Sequence, residues 1–383
     1  MAPIDLGENV AHQVDAEAAR AIREGREVLR LHIGDPELET PAGIREAASE
    51  SMARGHTHYA PPQGLLRLRA AIVERWASRH RVPATAEQVV VVPAKFAIYA
   101  ALLATTDPGD EVLFADPSYF FEEPVRLCGA RAVRFPLRRD HSLDLDALAG
   151  AVTPRTKVLV LVTPGNPTGR VLHRDELKAA TEIAKDHGLT VLSDEAYSEL
   201  VYDGEHVSVG SVAPPEVPVV TVGSFSKTYA MSGWRAGFAL APAEVAGRMV
   251  RVVEHTLTCI PPFVQDAARW ALLHGDEAAR SLRETLRERR DHLLGRLDDV
   301  GGLSYVHPEG ALYVFPQYDL DLPSTEFALA LLREEGVAVA PGSAFGPRGE
   351  GHIRIAYTLD PAGLDRAAQR LGAFLERRGG RRG

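Results

Sequence analysis

The segment Lys157-Val-Leu-Val-Leu-Val162, followed at once by Thr163-Pro-Gly-Asn-Pro-Thr-Gly169, decides the fold. Its apolar run does not alternate with polar residues, so it predicts a strand buried on both faces, as in a parallel sheet covered by helices. The Pro, Gly and Asn turn that stops the run falls at the strand's carboxyl end, where open α/β sheets hold their ligands. Similar runs recur at Val89–Val92, Glu111–Phe114, Thr190–Ser193 and Val219–Val222, with amphipathic stretches between them. That rhythm predicts a three-layer αβα domain around a mostly parallel sheet.

Outward from this core the pattern changes. Val14–Gly25 has helical spacing, and Val28–Ile33 alternates like a short strand before a Gly34-Asp35-Pro36 turn. Beyond residue 275 come a long charged helix (Ala278–Asp299), a β-rich return (Leu303–Gln317, Val337–Pro341, His352–Tyr357) and a last helix (Ala362–Arg377). We therefore expect residues 46–275 to form the large domain and 276–383 a smaller α+β domain. Residues 1–45 would be an arm that contributes to the smaller one.

Composition narrows the function. The chain has 383 residues, 45% hydrophobic and 25% charged, which suits a compact globular protein of two or three domains. With 43 Lys and Arg against 52 Asp and Glu, the net charge of −9 argues against nucleic-acid or membrane-surface partners. Cys128 and Cys259 are too few for a disulfide framework or a zinc site and suit a reducing compartment. Met1–Glu8 lacks a leader pattern and no apolar run nears the ~18 residues that span a bilayer, so the expected location is the cytoplasm. The basic tail Arg377–Gly383 reads as a frayed end. His12, His32, His56 and His58 lack metal-ligand spacing and are expected to be structural or exposed, with no metal bound. No Gly-x-Gly-x-x-Gly follows a strand, which removes a nicotinamide dehydrogenase.

Three predicted strands end in polar residues that packing does not require: Asn166 after the first, Asp194 and Tyr197 after Val191-Leu-Ser, and Ser224, Ser226 and Lys227 after Val220-Thr-Val-Gly. They should converge on one crevice. Burial would depress the lysine's pKa and leave a nucleophilic amine. An aspartate suits a protonated ring nitrogen, Asn166 and Tyr197 suit a phenolate oxygen, and Lys227 suits an aldehyde. The set describes a site for pyridoxal 5′-phosphate.

In motif order and spacing the chain resembles the class I/II aminotransferases of the fold-type I pyridoxal-phosphate enzymes, the aspartate aminotransferase kind. The resemblance spans nearly the whole chain. It rests on Gly34-Asp35-Pro36, Tyr59 with Gly64, Pro117-Ser-Tyr119, Asn166-Pro-Thr-Gly169, Asp194-x-x-Tyr197, Ser224-x-Ser-Lys227 with Arg235, Pro341-Gly342 and Arg354. It implies a Schiff base on Lys227, and a phosphate held by Ala94 and Lys95 at a helix start, by Ser224 and Ser226, and by Arg235. Tyr59 would reach that phosphate from a neighbouring subunit of a homodimer with shared active sites. Tyr119 would stack on the cofactor, while Arg354, Gly34 and Asn166 would take the substrate. Catalysis would fall to Lys227, Asp194 and Tyr197, in ping-pong transfer of an amino group from an L-amino acid to a 2-oxo acid. The alternative is a lyase, decarboxylase or cyclase using the same site. Pro93 departs from the family's usual Gly and makes the Ala94 and Lys95 turn less open. Phe120 and Phe121 follow Tyr119 where many relatives carry a Tyr-Pro-x-Tyr pattern, and Thr256–Pro262 are expected to line the substrate approach; aromatic or aliphatic substrates are favoured, with acidic ones left open.

Overall fold

The computed structural model describes residues 10–379. Met1–Glu8 and the last four residues of the basic tail lie outside that range; Arg377 ends the final helix. The chain enters through a helix, Val10–Arg23, and a two-residue strand, β1 (Leu29–Arg30). Seven strands then build the central sheet: β2 (Val89–Val91), β3 (Glu111–Asp116), β4 (Arg131–Pro136), β5 (Thr156–Val162), β6 (Thr190–Asp194), β7 (Val219–Ser224) and β8 (Gly237–Leu240). Their order is β2-β8-β7-β6-β5-β3-β4. Only β8 runs against its neighbours; the other adjacent pairs are parallel.

Alternate residues of β5 go to opposite faces, which is why the run is apolar throughout. Val158 and Val160 join a core with Ala97 and Ile98 of the helix Ala94–Thr105 and Met249 and Val253 of the helix Ala243–Glu254. Leu159 and Leu161 join another with Leu177, Ala180 and Ala184 of the helix Arg174–Asp186. Each such fully buried side chain contributes about 1.5–3 kcal/mol. The sheet is thus covered on both sides, as the uninterrupted strands require. In register, Val162 faces Asp194 and Asp194 faces Val222, so the carboxyl ends of β5, β6 and β7 lie side by side.

β4 and β8 carry weaker signals. β4 is an edge strand with an exposed start, and β8 is four residues beginning in glycine.

After the helix Asp276–Leu297 come β9 (Leu303–Ser304), β10 (Tyr313–Val314), β11 (Gln317–Tyr318), the helix Ser324–Glu335, β12 (Val337–Ala338), β13 (Ala340–Pro341), β14 (Ile353–Ala356) and the helix Pro361–Arg377. Strands β10-β14-β13 form an antiparallel sheet. β1 joins this region in parallel with β12, pairing Leu29 with Val337. The Leu31 carbonyl then accepts from the Ala356 N–H at 2.8 Å, bonding the chain's start to the strand that carries Arg354. Among the described residues no helix is long and apolar enough to cross a membrane.

Candidate active site

A cavity of about 450 Å³ opens at the carboxyl ends of β5, β6 and β7. Gly34, Ala94, Lys95, Tyr119, Asn166, Asp194, Tyr197, Ser224, Ser226, Lys227, Arg235 and Arg354 all line it. Of the site residues read from sequence, Tyr59 alone does not; it is 89% exposed on the surface.

Asp194 is the last residue of β6 and is buried, with Oδ1 accepting from the Ala196 N–H at 3.1 Å. Burial pushes its carboxyl up to about 6; the Ala196 N–H opposes this and the neighbouring Glu195 charge adds to it. Tyr197, two residues into the following turn, shares a 2.7 Å hydroxyl hydrogen bond with Tyr313 of β10. Burial holds its phenol well above the ordinary value, so it remains a donor.

Lys227 sits on a four-residue helix, Phe225–Thr228, whose start is capped by Ser224 Oγ accepting from the Ser226 N–H at 3.2 Å. Its Nζ donates to the Gly34 carbonyl at 2.5 Å. Burial lowers the amine to about 8, helped by Arg354 and Arg235 and opposed by Asp35. Arg235 lies in the left-handed region (φ 56°), a conformation that costs about 1–3 kcal/mol away from glycine and occurs at functional sites. Its Nη1 donates to the Ser232 carbonyl at 2.7 Å. Ser232 Oγ in turn donates to Asp35 at 2.9 Å, tying the Gly34-Asp35-Pro36 turn to this loop.

The helix Ala94–Thr105 begins after Pro93 with no side-chain cap, so its first N–H groups remain available beside the cavity. Pro93 sits at the cap with φ −55°, a value its ring prefers, and the turn closes without the family's glycine.

Arg354 of β14 is buried. Its Nη1 donates to Asn166 Oδ1 at 3.0 Å and its Nη2 to the His32 carbonyl at 2.6 Å. Its guanidinium lies 4.2 Å from the Tyr313 ring centroid and 4.9 Å from that of Phe345, held between two π-faces. The buried Nε has no partner. A Cβ added to Gly34 would lie 1.8 Å from Tyr313 Oη. Gly34→Ala is therefore expected to displace that ring and the Tyr197 hydrogen bond, raising KM for the amino donor about tenfold or more, readable by steady-state kinetics.

One expectation changes. No residue of Thr256–Pro262 lines the cavity: Thr256 Oγ1 turns back to the Val252 carbonyl at 2.5 Å and borders a separate groove with Arg248. Phe121 is wholly buried against Phe114, leaving Phe120 alone on the wall. As expected, His12 is exposed and His32 is structural, buried and bonded to Asp15 through Nε2 at 3.2 Å; both border the cavity. Sequence reasoning missed Tyr313 and Phe345, because an aromatic residue in a β-rich stretch reads as core.

A buried lysine, a buried aspartate and a guanidinium gather at the carboxyl ends of a mostly parallel sheet covered on both faces, and the comparisons place this fold among the fold-type I aminotransferases. The chain belongs to the aminotransferase class I and II family, whose model matches residues 26–371. It is 38% identical to the arginine–pyruvate transaminase of Pseudomonas aeruginosa, over 94% of this chain and 93% of that protein. It is also 38% identical to an aspartate aminotransferase of Pyrococcus abyssi, over 91% and 92%. The solved aspartate aminotransferase of Thermus thermophilus with maleate superposes with a TM-score of 0.90 at 35% identity, covering 96% of this chain and 97% of that one. The protein is an aminotransferase.

Proposed function

We propose that the cavity holds pyridoxal 5′-phosphate as a Schiff base on Lys227 and that the enzyme moves the amino group of an L-amino acid to a 2-oxo acid by a ping-pong mechanism. The observation that carries this is the lining of one cavity by an amine lowered to about 8 and a buried carboxyl raised to about 6. The donor set fits the cofactor. Asp194 has one oxygen engaged by Ala196 and keeps acceptor capacity for a protonated ring nitrogen. Asn166 gives its Oδ1 to Arg354, which leaves its amide N–H groups, with the Tyr197 hydroxyl, to serve a ring oxygen. Uncapped N–H groups at Ala94 and Lys95, the Ser224 and Ser226 hydroxyls and the Arg235 guanidinium suit a phosphate. Tyr119 offers the flat ring that stacks.

When bound, the cofactor supplies an electron-poor ring that accepts the electron pair released at the substrate's α-carbon. Lys227, once the incoming amino donor has displaced it, would present an amine whose proton affinity burial lowers to about 8, able to take the α-proton and return it. Asp194 holds the ring-nitrogen proton in place. Arg354 clamps the α-carboxylate, with Gly34 beside it, and Asn166 orients the guanidinium. Arg354→Lys keeps the charge but loses the planar fork, and is expected to raise KM for both substrates roughly 30- to 100-fold with a smaller change in kcat, measured by steady-state kinetics.

The exposed Tyr59 supports a homodimer in which each subunit completes its partner's phosphate site. Ile33 and Phe120 on the wall support donors with aliphatic or aromatic side chains. Residues 46–275 would form the large domain, and the described residues 276–379 with 10–45 of the arm the small one. A cytoplasmic location with no nucleic-acid or membrane partner completes the reading.

The test is to reconstitute the protein and follow its visible band over a panel of amino acids. The reading expects the band to be lost with a donor and restored by a 2-oxo acid. A colourless protein with no borohydride-stable adduct at Lys227 overturns it.

A further inference from the structure

Behind Asp194 the chain buries a second charge that the chemistry above leaves without a task. Successive side chains leave a strand on opposite sides. Asp194 accordingly lines the cavity, whereas the next residue, Glu195, does not line it and is 0% exposed. Its carboxylate is saturated: Oε1 accepts from Ser193 Oγ at 2.8 Å, Ser208 Oγ at 3.0 Å and the Val209 N–H at 3.0 Å. Oε2 pairs with His206 Nε2 at 2.9 Å. His206 is itself buried and meets the His80 ring edge-on at 5.1 Å, and His80 hydrogen-bonds Glu199 at 3.0 Å. Four partners in a site closed to water fix the position of this carboxylate.

The pair pins both the end of β6 and the 206–209 loop. It also sets a fixed negative charge one residue from Asp194. Besides Asp194 the cavity wall carries cations (Lys95, Lys227, Arg235, Arg354), phenols (Tyr119, Tyr197, Tyr313), the histidines His12 and His32, and one further carboxyl, Asp15, which bonds His32.

We propose that Glu195 and His206 are positioning residues for Asp194: they fix the strand end that aims its carboxylate, and the buried Glu195 charge strengthens its hold on a protonated ring nitrogen. The proposal rests on the cofactor reading above. The raised proton affinity of Asp194, to which Glu195 contributes after burial, accords with it.

The experiment uses the full-length holoenzyme loaded with pyridoxal phosphate carrying ¹⁵N in the ring, read by solid-state ¹⁵N NMR alongside Tm. Glu195→Gln is expected to move the ring-nitrogen resonance toward its unprotonated position and to weaken cofactor retention about tenfold. Glu195→Asp, which keeps the charge, should keep the resonance. A Glu195→Gln protein that loses thermal stability but retains the wild-type resonance overturns the proposal. Should that variant not fold, His206→Asn and Ser208→Ala decide the matter: the proposal stands only if the first moves the resonance and the second does not. A wild-type protein that takes up no labelled cofactor sinks the cofactor reading itself, and this proposal with it.

Discussion

Lys227→Ala lowers transamination by at least about 10⁴-fold, the largest effect expected of any single change in this protein. On the proposed reading two functions would be lost at once, the covalent anchor and the carrier of the α-proton. No other amine lines the cavity except Lys95, which lies at the start of a different helix, 6.0 Å from the Tyr119 ring centroid. The fold should not suffer, because Lys227 Nζ makes one hydrogen bond, to the Gly34 carbonyl, and its burial already opposes its charge. Single-turnover measurements with an excess of amino donor, made beside a thermal melt, separate the two effects. Activity within about a hundredfold of wild type in a well-folded variant would remove Lys227 from the chemistry.

Asp194→Ala comes next, with kcat reduced about 10³-fold and cofactor affinity reduced far less. On the proposed reading the phosphate contacts and the lysine anchor would be untouched, whereas the ring nitrogen would lose the buried anion that keeps it protonated. The apo protein should respond in the opposite sense. Asp194 has a folded pKa of about 6, raised from an ordinary 3.8, so the stability this carboxyl permits at low pH is lost as pH rises through 6. Removing it is expected to raise the apo Tm at pH 8 and to leave it unchanged at pH 3. Equal losses of kcat and cofactor affinity, or a lower apo Tm at pH 8, would contradict this assignment.

Much of this arrangement was legible in the chain itself. Uninterrupted runs such as Val158–Leu161 announce strands covered on both faces, and residues just past a strand end report on a site because the parallel register aligns those ends. That is why Asn166, Asp194 and Lys227 could be grouped before any coordinates. What stayed hidden depends on contacts between distant segments. Tyr313 and Phe345 look like core until Arg354 lies between their rings. Glu195 resembles any acidic residue in a turn until four partners converge on its carboxylate. Thr256–Pro262 was misplaced because loop direction after the helix Ala243–Glu254 follows packing that spacing does not encode.

The pairing of Leu29–Arg30 with Val337–Ala338, and of the Leu31 carbonyl with the Ala356 N–H, bears on biosynthesis. The Arg354 guanidinium meets the His32 carbonyl across 322 positions, so a ribosome-bound chain cannot complete this contact until β14 has emerged. Truncation between β8 and β14 removes Arg354 while keeping Lys227, and the slow closure of so wide a loop is expected to be the final event in maturation.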